Sequence, residues 1–135
     1  MKKVLILVIG LFIVAEVSAQ KAKELAEGPQ ITFAEESHDF GDIVQGTKVE
    51  YTFKFENTGT EPLILSNVLT TCGCTASAWP REPIAPGKES EITVTFNSAG
   101  KMGKQNKVIT VVSNGVNPQE RVRIVTNVLP KSDTE

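Results

Sequence analysis

Apolar and polar side chains alternate with a period of two along much of the chain. The clearest run sets Val49, Tyr51, Phe53 and Phe55 between Lys48, Glu50, Thr52, Lys54 and Glu56. That is the pattern of a strand with one dry and one wet face. Asn57-Thr58-Gly59-Thr60-Glu61-Pro62 supplies a polar turn, and Leu63, Ile64, Leu65 and Val68 resume an apolar segment. Residues 83–87 end in a Pro-Gly step suited to a type II turn, with Gly87 taking the positive φ. Ile92, Val94 and Phe96 then alternate. The Gly- and Lys-rich residues 98–105 read as a loop, and Val108, Ile109, Val111 and Val112 as a more continuously buried strand. Asn114-Gly115 opens the next turn, and Val122, Ile124 and Val128 close the pattern. With Ile31 and Phe33 near the start and a short piece at residues 40–44, the pattern predicts an all-β sandwich of about seven strands.

The first residues change the picture, because they read as an address. Lys2 and Lys3 precede an apolar run over residues 4–15, and Val17-Ser18-Ala19 places small residues where signal peptidase cuts. The run is well short of the ~20 residues needed to span a bilayer. The expected organisation is a signal peptide over 1–19, a flexible leader over 20–29, a sandwich domain over 30–130 and a disordered tail over 131–135. The expected product is exported, to the periplasm or beyond, with no stable membrane span after cleavage. The whole chain has 14 basic and 16 acidic side chains. Loss of Lys2, Lys3 and Glu16 with the signal leaves a net charge of about -3. That mild acidity lacks the clustered basic residues of a nucleic-acid binder.

Candidate chemistry centres on Thr71-Cys72-Gly73-Cys74-Thr75, which contains both cysteines of the chain. In an oxidising compartment thiols tend to pair. In extended backbone residues two apart face the same way, with Cα atoms ~6.5 to 7 Å apart, at the limit for a relaxed disulfide. Closure of a Cys72–Cys74 bridge would need a bend at Gly73, and the tight ring would be redox-labile. A thiolate pair could alternatively hold Cu(I), with Cys72 and Cys74 as metal ligands. Both cysteines could equally be small buried hydrophobes at a loop-strand junction. Apart from that Cu(I) alternative, no cofactor is expected.

His38 beside Asp39 suggests a general base, but no nucleophile motif such as Gly-x-Ser-x-Gly accompanies it. A strand-end histidine capped by neighbours is the simpler reading. Met102 could be a soft ligand and is more simply a loop side chain. Trp79 is expected to anchor the core. No catalytic set is expected.

His38-Asp39-Phe40-Gly41, Gly46, the Phe-Lys-Phe-Glu-Asn-Thr-Gly run from Phe53 to Gly59, Pro62-Leu63, Cys72-Gly73-Cys74-Thr75, Pro86-Gly87 and Ser113-Asn114 stand in an order that resembles domain-of-unknown-function family 1573. The resemblance runs from about Ile31 to Val128. It implies an immunoglobulin-like sandwich related to Hydin-type and major sperm protein-type modules, typically exported by Gram-negative bacteria. It carries no established activity to any residue. The functional expectation is a non-catalytic module that binds another protein or an envelope component. The alternative is a thiol-redox or Cu(I)-binding protein built on Cys72 and Cys74.

Overall fold

In the computed structural model residues 27–71 and 73–132 are described; the expected signal peptide, Cys72 and the last three residues lie outside them. Eight strands form: β1 (Ile31–Phe33), β2 (Ser37–Val44), β3 (Lys48–Asn57), β4 (Leu65–Thr70), β5 (Cys74–Ala78), β6 (Glu89–Asn97), β7 (Gly103–Ser113) and β8 (Gln119–Leu129). They make two four-stranded sheets, β1-β3-β6-β5 and β2-β8-β7-β4. All pairs are antiparallel except β2 with β8. In chain order the strands change sheet five times, between β1 and β2, β2 and β3, β3 and β4, β4 and β5, and β6 and β7.

Eight strands agree with the expected seven or so, Cys74–Ala78 adding a strand of its own by pairing with β6. One expectation needs correction. β7 begins at Gly103, inside the expected loop, where Gly103 to Lys107 pair with Val128 to Ile124. The expected Pro-Gly turn is present: the Lys88 N–H donates to the Ala85 carbonyl at 3.0 Å, and Gly87 has a φ of 78°.

The inward positions of β3 and β6 meet those of β7 and β8 to make the core. Phe53, Phe55, Ile92, Val94 and Phe96 come from one sheet, Ile109, Val111, Val122, Ile124 and Val128 from the other, and all are buried. Burying each such side chain contributes about 1.5–3 kcal/mol. Leu63 and Ile84 add a bridge between the two long connections, exchanging backbone hydrogen bonds at 2.9 and 2.8 Å. At the start of the domain Gly28 is tied to Thr60, whose N–H donates to the Gly28 carbonyl at 2.8 Å. Pro29 accepts from the Val116 N–H at 2.8 Å.

Candidate functional site

Each sheet ends in a strand whose outer edge carries unpaired donors and acceptors unless something blunts it. On β2 the register shifts between Asp39 and Asp42, a bulge at the His38-Asp39-Phe40-Gly41 motif. Gly41 adopts φ 71°, its N–H donates to Asp39 Oδ1 at 2.7 Å, and its carbonyl accepts from Thr126 Oγ1 at 2.7 Å. The motif therefore bends an edge strand. Asp39 spends its carboxylate on Gly41, and the His38 ring stacks elsewhere, so the two do not form a base pair of the catalytic kind. β5 is blunted too. The Cys74 N–H donates to the Thr71 carbonyl at 3.0 Å, the Cys74 carbonyl accepts from Thr70 Oγ1 at 3.0 Å, and a bulge follows between Ala76 and Ala78. β4 carries its own irregularity between Leu65 and Asn67.

β3 differs. β1 is only three residues long and covers Phe55 to Asn57, with one further bond from the Ala34 N–H to the Lys54 carbonyl at 2.9 Å. The chain then leaves for the other sheet. Even-numbered residues of β3 aim their backbone groups toward this side, as Lys54 does, while Asn57 aims its own at Lys88 and Gly87. The N–H and C=O groups of Glu50 and Thr52 consequently point out of the sheet. Among the described residues nothing pairs with them. A cleft of about 220 Å³ lined by Ala34, Glu35, Tyr51, Thr52 and Lys54 sits where β1 departs.

Beside this open edge lies an aromatic cluster. His38 of β2 stacks on Tyr51 of β3, with ring centroids 3.7 Å apart and planes 8° from parallel, and Phe40 meets His38 edge-on at 4.6 Å. Tyr51 in turn meets Phe53 of the core edge-on at 4.8 Å. The Tyr51 hydroxyl donates to Glu35 Oε2. That bond favours the neutral phenol and, with burial and the carboxylate's charge, raises the Tyr51 pKa above the ordinary 10.0. A raised folded-state pKa means that its stabilisation is present at neutral pH and is lost as pH climbs through the raised value. Tyr51 is the one tyrosine of the chain, so absorbance titration reads it directly. The expected midpoint lies above 10, and Glu35→Gln brings it down. A wild-type midpoint at or below 10 would contradict the bond.

The other sequence candidates are dispersed. Cys74 is half-buried and packs against the core, and Trp79 does the same just beyond β5 with the Arg81 guanidinium 3.5 Å over its ring. Gly73 supplies the bend with a φ of 90°, and a Cβ there would stand 3.2 Å from both Phe96 and Lys101. Met102 is exposed, just ahead of β7. Among the described residues, which exclude Cys72, no three His, Cys, Asp or Glu side chains gather as metal ligands. Glu35, Glu50, Tyr51 and Thr52 were not singled out by sequence, because nothing local marks which strand lies at an open edge.

Fold and edge together define an immunoglobulin-like, PapD-like β-sandwich module. More narrowly, residues 31–128 match the family described as protein of unknown function (DUF1573), and the chain belongs to that family. It is similar to a protein of unknown function from Porphyromonas gingivalis W83, at 20% identity and TM-score 0.64, covering 81% of this chain and 51% of that one. The chain thus spans about half the length of that protein. The ASH/PapD-like domain 7 of human CEP192 matches at 14% identity and TM-score 0.58, over 78% of this chain and 89% of that domain. The VesB protease of Vibrio cholerae matches at 14% identity and TM-score 0.57, over 73% of this chain and 32% of the protease. At these identities the likeness is one of fold alone. No curated protein matches the chain. Among the described residues no helix is long and apolar enough to cross a membrane.

Proposed function

We propose that this is an exported, non-catalytic binding module that takes an extended segment of another protein or envelope component onto the open edge of β3. The observation that carries the reading is the uncovered stretch at Glu50 and Thr52, left open in a domain whose edge strands β2, β4 and β5 each carry a bulge or irregularity. Adding a strand to such an edge is a recurrent mode of recognition, because main-chain hydrogen bonds supply affinity with few side-chain demands. The signal-peptide pattern at residues 1–19 supports export, which puts the partner in the periplasm or outside the cell.

Glu50→Pro tests the reading. It removes an outward N–H from the edge without removing a β3–β6 bond, a change that edge strands tolerate. Wild-type protein immobilised against native envelope extract is expected to retain a partner that the Glu50→Pro protein loses, with thermal unfolding of the two close together. Equal retention by both would sink the edge as the site. The Cys72→Ser/Cys74→Ser protein separates this reading from the thiol or Cu(I) alternative. Retention of the partner favours the edge, and loss favours the cysteines.

A further inference from the structure

The open stretch of β3 carries a charge of each sign on the outer face of its sheet, Lys48 and Glu50, both exposed. Their cross-strand neighbours on the β6 side, Asn97 and Thr95, are uncharged, with Thr95 Oγ1 3.3 Å from Glu50 Oε2. On the open side neither has a cross-strand neighbour among the described residues. A side chain directly opposite in an added antiparallel strand would stand about 5 Å away, close enough for unlike charges to attract and like charges to repel. Val49 between them and Tyr51 beyond face the other way and are half-buried against the core.

A second copy of the chain brings the complement to this edge in a single register. Inward residues must stand opposite inward residues, since a slip of one residue turns the dry face outward. A two-fold centred on Lys48 sets ammonium against ammonium, and one centred on Glu50 sets carboxylate against carboxylate. Centring on Tyr51 or Thr52 brings Lys54 into the ladder, and its carbonyl already accepts from the Ala34 N–H at 2.9 Å. Centred on Val49, the two-fold sets Lys48 opposite the second copy's Glu50, Glu50 opposite its Lys48, and the Val49 side chains against each other. Lys48 and Glu50 both aim their backbone groups out of the sheet, so each of these pairs exchanges both main-chain hydrogen bonds. The ladder stops where Thr52 comes opposite Gly46, which stands at φ 95° in a turn closed from Thr47 N–H to the Val44 carbonyl at 3.0 Å.

We infer that two copies of the chain pair through their β3 edges in the register centred on Val49, joining the β1-β3-β6-β5 sheet of each into one. The inference rests on the open edge of the strand-addition reading above and adds an occupant that competes with the outside partner for it. The pairing closes an edge that would otherwise template uncontrolled association. Its ladder is short, Lys48 to Glu50 with Thr47 and Tyr51 at the ends, so it forms reversibly. A partner's segment then displaces the second copy and does not meet a bare edge.

Sedimentation of the purified protein over a concentration series tests the register. The wild type is expected to show a reversible monomer–dimer equilibrium. Glu50→Lys and Lys48→Glu, each of which sets like charges opposite each other at both ends of the ladder, are each expected to weaken the dimer about tenfold or more. The double variant Lys48→Glu/Glu50→Lys, which exchanges the charges, is expected to restore it. A wild type that stays monomeric up to about 1 mM overturns self-pairing, and retention of a partner from envelope extract by that monomer leaves the strand-addition reading standing. A dimer that neither single reversal weakens, or that the double variant does not restore, overturns the register. A dimer that follows the charges while retaining nothing from the extract supports self-pairing and removes the outside partner.

Discussion

Replacing Asn57 by alanine is expected to lower the unfolding free energy by about 3–5 kcal/mol, because a buried polar hub with four partners is lost. The residue is completely buried. Its Nδ2 donates to the Glu61 and Ile84 carbonyls, each at 2.8 Å, and its Oδ1 accepts from the Gly59 N–H at 3.0 Å and the Gln30 N–H at 3.3 Å. One side chain thus ties β1, the turn after β3 and the Leu63–Ile84 bridge to a single point. Alanine leaves the Gln30 and Gly59 N–H groups and the Glu61 carbonyl without this partner, while the Ile84 carbonyl keeps its bond from Leu63 N–H, and a buried group left unsatisfied costs more than its bond contributed when made. Asn57→Asp gives no rescue, since it keeps the acceptor and sets a carboxylate against two carbonyls. Denaturant unfolding measures the loss, and a change under about 1 kcal/mol would show that water or local movement replaces the hub.

Gly59→Ala is expected to be comparably damaging, for a steric reason. A Cβ at Gly59 would stand 2.0 Å from the Gly28 carbonyl oxygen, 2.6 Å from the Gln30 nitrogen and 2.8 Å from the Pro29 carbonyl carbon. All three are backbone atoms of the segment that leads into β1, so no side chain can swing aside. Either β1 moves off β3 or the turn is rebuilt, and a loss of about 3 kcal/mol or more is expected from that scale of overpacking. Gly100 is the control. Its φ of 72° penalises alanine by about 1–2 kcal/mol, but a Cβ there meets nothing within 4 Å. Hydrogen exchange should find the amides of Thr58 and Thr60 deprotected in Gly59→Ala, because their bonds to Gln30 and Gly28 hold the approach. If Gly59→Ala costs no more than Gly100→Ala, the close approach is not rigid. The Asn57 and Gly59 effects should be less than additive, since both loosen the same junction.

The long strands were legible because their inward residues are large and alternate: β3 and β6 follow the period-two pattern of Tyr51, Phe53, Phe55 and of Ile92, Val94, Phe96. β5 was not, since Cys-Thr-Ala-Ser-Ala has small side chains on both faces and becomes a strand only by pairing with β6. The start of β7 was hidden by glycine and lysine, residues poor in strand propensity that β8 recruits across the sheet. Asn57 looked like turn chemistry, and it does begin a turn, but its burial depends on Ile84, 27 residues away. The candidate site was the least visible part. An open edge is a property of which strand fails to cover which, and the stacking of His38 on Tyr51 follows only once the chain has crossed between sheets. Gly73 stands at a positive φ of 90° within the cysteine motif, and the motif around His38 proved to encode a bulge.

The one parallel pair in the sandwich also dictates when the fold can be completed. β2 lies near the beginning of the domain and β8 at its end, and Asn127 Nδ2 reaches Asp42 across 85 residues. Until residues 119–129 are available, β7 lacks its long antiparallel partner and β2 has no sheet to join. A chain emerging N-terminus first therefore carries an uncommitted strand through most of its synthesis, and closing such distant contacts is intrinsically slow. This architecture delays commitment to the native state until the last strand, β8, has appeared.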